Sequence, residues 1–158
     1  MAIRKIVTMG DEVLRKKSRP VVNFNEKLWQ LLDDMKDTMN KAEGVGLAAV
    51  QVGVLRRVIV IDVGDGLMEL INPEIIETSG EQEGQEGCLS VPGRWGIVKR
   101  PNYVKLRAQN RKGQWKLYEG TELKARAFCH EIDHLDGNLY IDIESKELTA
   151  EEILAERN

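Results

Sequence analysis

The two histidines of the chain, His130 and His134, stand four residues apart, with Glu131 directly after the first. Residues i and i+4 share one face of an α-helix, so both imidazoles can bind the same metal ion. Glu131 can then reach a water molecule on that ion without being a ligand itself. The pattern predicts a small metal-dependent enzyme in which Glu131 is the general acid and base.

A catalytic metal site also needs a third protein ligand and an open position for water. Cys88 is one candidate, because Gly84 and Gly87 let the backbone around it approach another element closely. Its sequence position leaves open whether Cys88 is a ligand or a buried structural thiol. Cys129 directly precedes His130, so on a helix it points about 100° away from the ligand face. We expect Cys129 to be a small buried residue of the core.

Two other interpretations remain open on this evidence. A small HExxH zinc peptidase would take its third ligand from a carboxylate near the end of the chain, and the candidates are Glu144, Glu147, Glu151 and Glu152. A non-catalytic protein with a structural metal site would use four protein ligands. That site would favour a second cysteine close to Cys88, and the sequence has none there.

Three segments are predicted to be helices that position these groups. The first covers about 25–42, where leucines and methionines form one apolar stripe, Asn25 caps the start and Gly44 follows the end. The second covers about 121–135 and carries both histidines. The third is a short C-terminal helix that opens at Thr149 with capping-box spacing.

Strand patterns lie between the first two helices. Residues 57–63 and 67–71 flank a Gly-Asp-Gly turn, and residues 104–108 and 115–118 flank an Asn-Arg-Lys-Gly turn. Hairpins with helices grouped around them indicate an α+β fold with mainly antiparallel sheet. We expect a single domain over residues 1–158.

Composition narrows the class of protein further. The net charge is −3 and the sequence pI is about 5.5, which argues against direct nucleic-acid specificity, because phosphate binding needs clustered Lys and Arg. No apolar run approaches the length of a membrane span, and no secretory signal is evident at the start. Two cysteines make no disulfide framework. We expect a cytoplasmic protein with reduced thiols and no membrane partner.

Three motifs, in the same order along the chain, resemble those of the peptide deformylase family. Gly44 to Gln51 (GVGLAAVQ) corresponds to the family's GxGxAAxQ, Glu86 to Ser90 (EGCLS) to its EGCLS, and His130 to His134 to its HExxH. The opening stretch to Val21 also looks like the family's. The similarity therefore covers nearly the whole chain, and it implies antiparallel sheets around a central helix that carries HExxH.

The resemblance also implies roles for individual residues. The metal ligands become Cys88, His130 and His134. Glu131 becomes the catalytic acid and base, while Gln51 and the backbone N–H of Leu89 become donors to the oxyanion. The backbone near Gly46 helps to hold the substrate peptide. The implied reaction removes the formyl group from the N-terminal formyl-Met of newly made proteins, giving formate and a free amine.

A formyl-Met side chain needs an apolar pocket near the metal. Leu123, Arg126 and Ala127 lie within two helical turns before His130, so we expect the stem of Arg126 and the other two side chains to line it. Val45 is the fourth predicted lining residue. The alternative is that these are ordinary core residues.

The predicted ligand set and the resemblance also suggest a cofactor and partners. A thiolate with two imidazoles suits iron or zinc. The resemblance implies Fe(2+), and Zn(2+) or another divalent transition metal is compatible with the same ligands. The implied partners are N-formyl-Met nascent peptides and, transiently, the ribosome.

Overall fold

A computed structural model describes residues 2–157 of the chain. Its helices are α1 (Glu26–Lys41), α2 (Glu122–Leu135) and α3 (Ala150–Arg157). Its strands are β1 (Gly46–Ala48), β2 (Val58–Ile61), β3 (Met68–Ser79), β4 (Gln82–Cys88), β5 (Val91–Arg100), β6 (Tyr103–Gln109), β7 (Trp115–Thr121) and β8 (Lys146–Leu148).

The strands form two antiparallel sheets. The larger has the order β1-β2-β3-β6-β7 and the smaller has the order β4-β5-β8. Every pairing between these strands is antiparallel. Both predicted hairpins are present, as β2–β3 and β6–β7. The prediction of an α+β fold with mainly antiparallel sheet is confirmed.

The turn between β2 and β3 shows why glycines stand there. Gly64 and Gly66 have φ values of +109° and +117°, in a region that residues with a side chain rarely adopt. The side chain of Asp62 accepts a hydrogen bond from the N–H of Gly64 at 2.9 Å, which closes the turn. β3 continues to Ser79, well beyond the predicted end at residue 71.

The smaller sheet was not predicted from the sequence. β4 reads QEGQEGC, which lacks the β-branched and aromatic residues typical of strands. It is held by its pairing with β5, whose Val91 and Val98 are buried in a local core with Leu139 and Tyr140. This sheet matters for the site because Cys88 is the last residue of β4.

Helix α1 packs its predicted stripe of leucines and methionines against the larger sheet. The side chain of Asn25 accepts from the N–H of Leu28 at 3.3 Å, so the predicted N-cap is present. The helix ends at Lys41, close to the predicted residue 42, and the left-handed residue after it is Glu43, with φ +57°. Gly44 instead leaves space for a neighbouring side chain, because a Cβ there would lie 2.9 Å from Cδ1 of Leu89.

Helix α2 is buried on nearly all sides and contacts strands of both sheets. Ala125, Phe128, Ile132 and Leu135 belong to the main hydrophobic core, together with residues of the larger sheet. Cys129 is buried in the same core, as expected. With these side chains packed on the larger sheet, His130 and His134 occupy another face of the helix.

The C-terminal helix α3 starts with the predicted capping box. The N–H of Glu152 donates to Oγ1 of Thr149 at 3.1 Å, and the N–H of Thr149 donates back to Oε1 of Glu152 at 3.4 Å. None of the helices within residues 2–157 combines the length and the apolar composition needed to cross a bilayer.

Candidate active site

The structure brings the three predicted metal ligands together. His130 and His134 are both buried on α2, and Cys88 reaches them from the end of β4. The possible ligand atoms of the three residues all lie within 4.8 Å of one another. Cys88 Sγ is 3.3 Å from Nε2 of His134. One divalent ion could therefore contact all three side chains.

His130 is oriented by a residue that the sequence analysis did not identify. Its Nδ1 lies 2.5 Å from Oε1 of Glu86, which leaves Nε2 for a metal. Glu86 also accepts hydrogen bonds from the guanidinium groups of Arg100 and Arg126, each at 2.7 Å. Burial disfavours the Glu86 carboxylate, but the bonds with His130 and Arg100 lower its pKa to about 2. Glu86 is therefore a permanent anion behind His130.

A signal for Glu86 was present in the sequence. Residues i and i+2 of a strand point to the same face of the sheet. Glu86 and Cys88 have this spacing, so a regular β-strand up to Cys88 predicts a carboxylate near the thiol. The strand itself has an irregularity between Gly87 and Cys88. The signal was missed because the polar composition of β4 gave no reason to predict a strand there.

The electrostatic environment suits a bound cation. Burial opposes a charge on His130, but the neighbouring side chains of Glu131, Cys88 and Glu86 raise its pKa well above the usual value. Surroundings that favour a proton at this position also favour a metal ion. Burial, together with His130, lowers the pKa of His134 well below the usual value, which gives the neutral imidazole that a metal requires. The residues therefore fit a divalent transition metal.

Glu131 lies in this site as a buried carboxylate whose Oε1 has no hydrogen-bond partner among the described residues. Burial raises its pKa to about 7. The carboxylate packs directly against the backbone of Gly46, where a Cβ would lie 2.6 Å from Oε2 of Glu131. The second glycine of the GVG segment is thus required by the space that Glu131 occupies.

Gln51 is buried beside Cys88. Its Oε1 accepts a hydrogen bond from the N–H of Ala48 at 2.9 Å, and its Nε2 lies 3.0 Å from Oγ of Ser90. Nε2 is also 3.7 Å from Sγ of Cys88. Leu89 follows the thiol directly, with its side chain against Gly44. The structure therefore brings both predicted oxyanion donors next to the cluster of ligands.

The four predicted pocket residues have different environments. Val45 and Leu123 are exposed, whereas Ala127 lies in the main core. Arg126 is buried, and its guanidinium donates to Glu86 at 2.7 Å and to the carbonyl of Val98 at 3.1 Å. The charged end of Arg126 thus supports Glu86, and its role in a pocket stays a prediction.

Several carboxylates near the C-terminus have partners of their own. Glu144 and Glu147 both pair with Arg94, at 2.7 and 3.1 Å. Glu152 accepts from Thr149 and pairs with Lys146 at 2.5 Å. In the part of the chain that the structure describes, the one group of three metal-binding side chains is the one formed by Cys88 and the two histidines. The arrangement does not favour a peptidase with a glutamate ligand or a site with four ligands.

Comparisons with known proteins agree with this geometry. The sequence profile named polypeptide deformylase matches residues 3–149. The peptide deformylase of Thermoanaerobacter pseudethanolicus is 57% identical over 152 residues, which cover 96% of this chain and 96% of that protein. That of Acetivibrio thermocellus is 62% identical over 142 residues, which cover 90% of this chain and 84% of that protein.

Solved structures give the same result. The crystal structure of the peptide deformylase from Thermotoga maritima has a TM-score of 0.89 and 42% sequence identity, and the match covers 90% of this chain and 98% of that one. A peptide deformylase from Legionella pneumophila has a TM-score of 0.87 and 43% identity, with 98% of this chain and 92% of that one covered. The resemblance seen in the three motifs thus extends over the whole fold, and the chain belongs to the polypeptide deformylase family.

Proposed function

We propose that this chain is a metal-dependent hydrolase that removes the formyl group from the N-terminal formyl-Met of newly made proteins and releases formate. The observation that carries this function is the cluster of Cys88, His130 and His134 beside the buried carboxylate of Glu131. Family membership supports the same reaction.

The roles of the ligands and of Glu131 follow from their chemistry. Cys88, His130 and His134 would hold a divalent transition metal, which would supply Lewis acidity towards a water molecule and the formyl carbonyl. Glu131 accepts the proton of the attacking water and later donates it to the nitrogen as the C–N bond breaks, so the products are formate and a free amine. A pKa of about 7 lets the carboxyl group both accept and donate a proton near neutral pH.

Negative charge that develops on the formyl oxygen needs fixed donors. Gln51 Nε2 and the backbone N–H of Leu89 supply them. The position of Nε2, 3.7 Å from Cys88 Sγ, supports this role for Gln51. The substrate peptide is held by the backbone near Gly46. Its methionine side chain lies in a pocket formed by Val45, Leu123, Ala127 and the stem of Arg126.

The native metal is Fe(2+), with Zn(2+) or another divalent transition metal able to occupy the same ligands. Fe(2+) oxidises in air, whereas Zn(2+) has no redox chemistry. Protein purified without oxygen should therefore contain iron and lose activity on exposure to air, while a zinc-loaded sample should not. Stable activity in air from a sample whose only metal is iron would contradict the iron assignment.

Residues 1–158 act as one catalytic domain in the cytoplasm. The partners are N-formyl-Met nascent peptides, with a transient ribosome contact and no direct nucleic-acid specificity. The net charge of −3 supports the last point, because binding to phosphates depends on excess positive charge.

Formate release from a formyl-Met peptide by anaerobically purified protein tests the reaction. Cys88→Ala should abolish metal binding and formate release, because the thiolate is one of three ligands. Cys129→Ala is the matched control, since this thiol lies in the core and should leave both intact. Metal retention in Cys88→Ala would support the peptidase alternative, and metal-loaded protein that releases no formate would contradict the proposed function.

A further inference from the structure

Ser90, the last residue of the EGCLS segment, has no role in the mechanism above, although its contacts place it at the centre of the site. It is completely buried. Its Oγ lies 3.0 Å from Nε2 of Gln51, and its N–H donates to Sγ of Cys88 at 3.4 Å. Its carbonyl accepts a hydrogen bond from the N–H of Met9 at 2.7 Å. A buried serine that contacts both a proposed donor and a proposed ligand can affect the reaction through them.

The orientation of the Gln51 amide is fixed by its other partner. The N–H of Ala48 can only donate, so the atom that it contacts at 2.9 Å must be the carbonyl oxygen of the Gln51 side chain. The NH₂ group therefore faces Ser90 and Cys88. It carries two hydrogens, and one of them is directed at Oγ of Ser90. The second is on the side of Sγ of Cys88, 3.7 Å from Nε2, and therefore faces the metal ligands.

The N-terminal segment holds the main chains of the same two residues. The N–H of Val7 donates to the carbonyl of Gln51 at 2.8 Å, and the N–H of Met9 donates to the carbonyl of Ser90 at 2.7 Å. Gln51 and Ser90 are thus joined twice, through a common backbone support and through a direct contact between side chains. This arrangement limits rotation of the amide, and a fixed donor needs no reorganisation when charge develops.

We propose that Ser90 is a positioning residue for deformylation: its Oγ accepts one hydrogen of the Gln51 amide and thereby directs the other towards the formyl oxygen. This inference rests on the proposed function. Ser90 itself does not touch the substrate. It acts through Gln51, so its effect must vanish when Gln51 is absent.

The test is a double-mutant cycle with Ser90→Ala and Gln51→Ala, measured as kcat and KM on a formyl-Met peptide. Ser90→Ala should lower kcat about tenfold with little change in KM, which is less than the effect of 10²-fold or more expected for loss of the donor itself. The double variant should be no slower than Gln51→Ala alone. Ser18→Ala is the control, because Ser18 is also buried and its hydroxyl has no hydrogen-bond partner among the described residues.

A second measurement does not depend on catalysis. In ¹H–¹⁵N spectra of the zinc-loaded protein, the side-chain amide signals of Gln51 should shift in Ser90→Ala and stay in place in Ser18→Ala. Unchanged amide signals would overturn the proposal. It would also be overturned if the loss of kcat in the double variant equalled the product of the losses in the two single variants. A loss explained entirely by lower metal occupancy in Ser90→Ala would overturn it too. Failure of the wild-type protein to release formate would instead contradict the proposed function, and the amide signals would still decide whether Ser90 orients Gln51.

Discussion

Two buried carboxylates of the site, Glu86 and Glu131, have opposite protonation behaviour because their partners differ. Glu86 accepts hydrogen bonds from two arginines and from His130, and these keep it ionised. Glu131 has an oxygen without a partner in the described chain, and burial brings its pKa near neutrality. The environment thus keeps one carboxylate charged and leaves the other able to gain or lose a proton near neutral pH.

Glu131→Gln should lower kcat by roughly 10²- to 10⁴-fold, because a glutamine cannot transfer the proton. Metal content should stay close to that of the wild type, since Glu131 is not a ligand. Formate release measured beside metal analysis of the same samples checks both points. Activity within a few fold of wild type would remove Glu131 from the mechanism.

Gly46→Ala should reduce kcat far more than Gly44→Ala. The new Cβ at residue 46 would lie 2.6 Å from the buried carboxylate of Glu131, so the carboxylate or β1 must move. At residue 44 it would meet a methyl group at the end of the Leu89 side chain, which can rotate away. Steady-state kinetics on both variants make the comparison. Equal losses would show that the space beside Glu131 is not what requires a glycine.

At the scale of secondary structure, the sequence predicts those helices and strands whose apolar residues recur at a regular spacing. Helices α1 and α2 and both hairpins carry regular apolar patterns, and all four are present, although β3 extends well beyond its predicted end. β4 carries no such pattern, because its stability comes from pairing with β5 and from the buried ion pairs of Glu86. Those contacts link residues that are distant in sequence, so the sequence does not predict that Glu86 supports His130. The metal ligands could be predicted because they lie in short local motifs.

Glu86→Gln tests how β4 supports helix α2 and strand β5. The substitution leaves the buried guanidinium of Arg126 without a carboxylate partner and leaves Arg100 paired with Asp133 alone, which should cost about 3–5 kcal/mol of unfolding free energy. It also weakens the bond that orients His130, so metal affinity should fall about 10- to 100-fold. Thermal melts and metal titrations measure the two effects. Glu83→Gln, at an exposed position of the same strand, should change neither.

At the scale of the whole molecule, the N-terminal segment joins α1 to the rest of the site. Asp34 of α1 accepts hydrogen bonds from the N–H of Ala2 at 2.9 Å, from Gln30 at 2.7 Å and from Arg4 at 2.9 Å. The same segment then continues to Val7 and Met9, which support Gln51 and Ser90. The side-chain amide of Gln51 is therefore connected to α1 through the N-terminal segment.

This connection should give a pH-dependent contribution to stability. Burial raises the pKa of Asp34, but hydrogen bonds from Ala2, Gln30 and Arg4 outweigh it and the net pKa is lowered. A lowered folded-state pKa stabilises the protein above the unfolded value of about 3.9, and the stabilisation is lost as the pH falls through the folded-state pKa. Asp34→Asn should thus destabilise the protein at pH 7 by on the order of 1 kcal/mol.

The difference in unfolding free energy between wild type and Asp34→Asn should shrink towards acid pH, as measured by denaturant titrations at several pH values. Asp37→Asn on the same helix is the control, because Asp37 has none of the hydrogen bonds found at Asp34. A difference that stayed constant from neutral to acid pH would exclude the ionised Asp34 as its source.

The position of β1 has a consequence for which proteins can be processed. β1 lies at the edge of the larger sheet and pairs with β2 alone among the described strands. Leu47 and Ala48 are buried, whereas Val45 directly before β1 is exposed, so an extended peptide would pair with this edge at its start. Such pairing recognises the backbone that all polypeptides share. An enzyme that removes the formyl group from nascent peptides gains from this mode of contact, because residues after the first methionine can vary widely while the attachment stays the same.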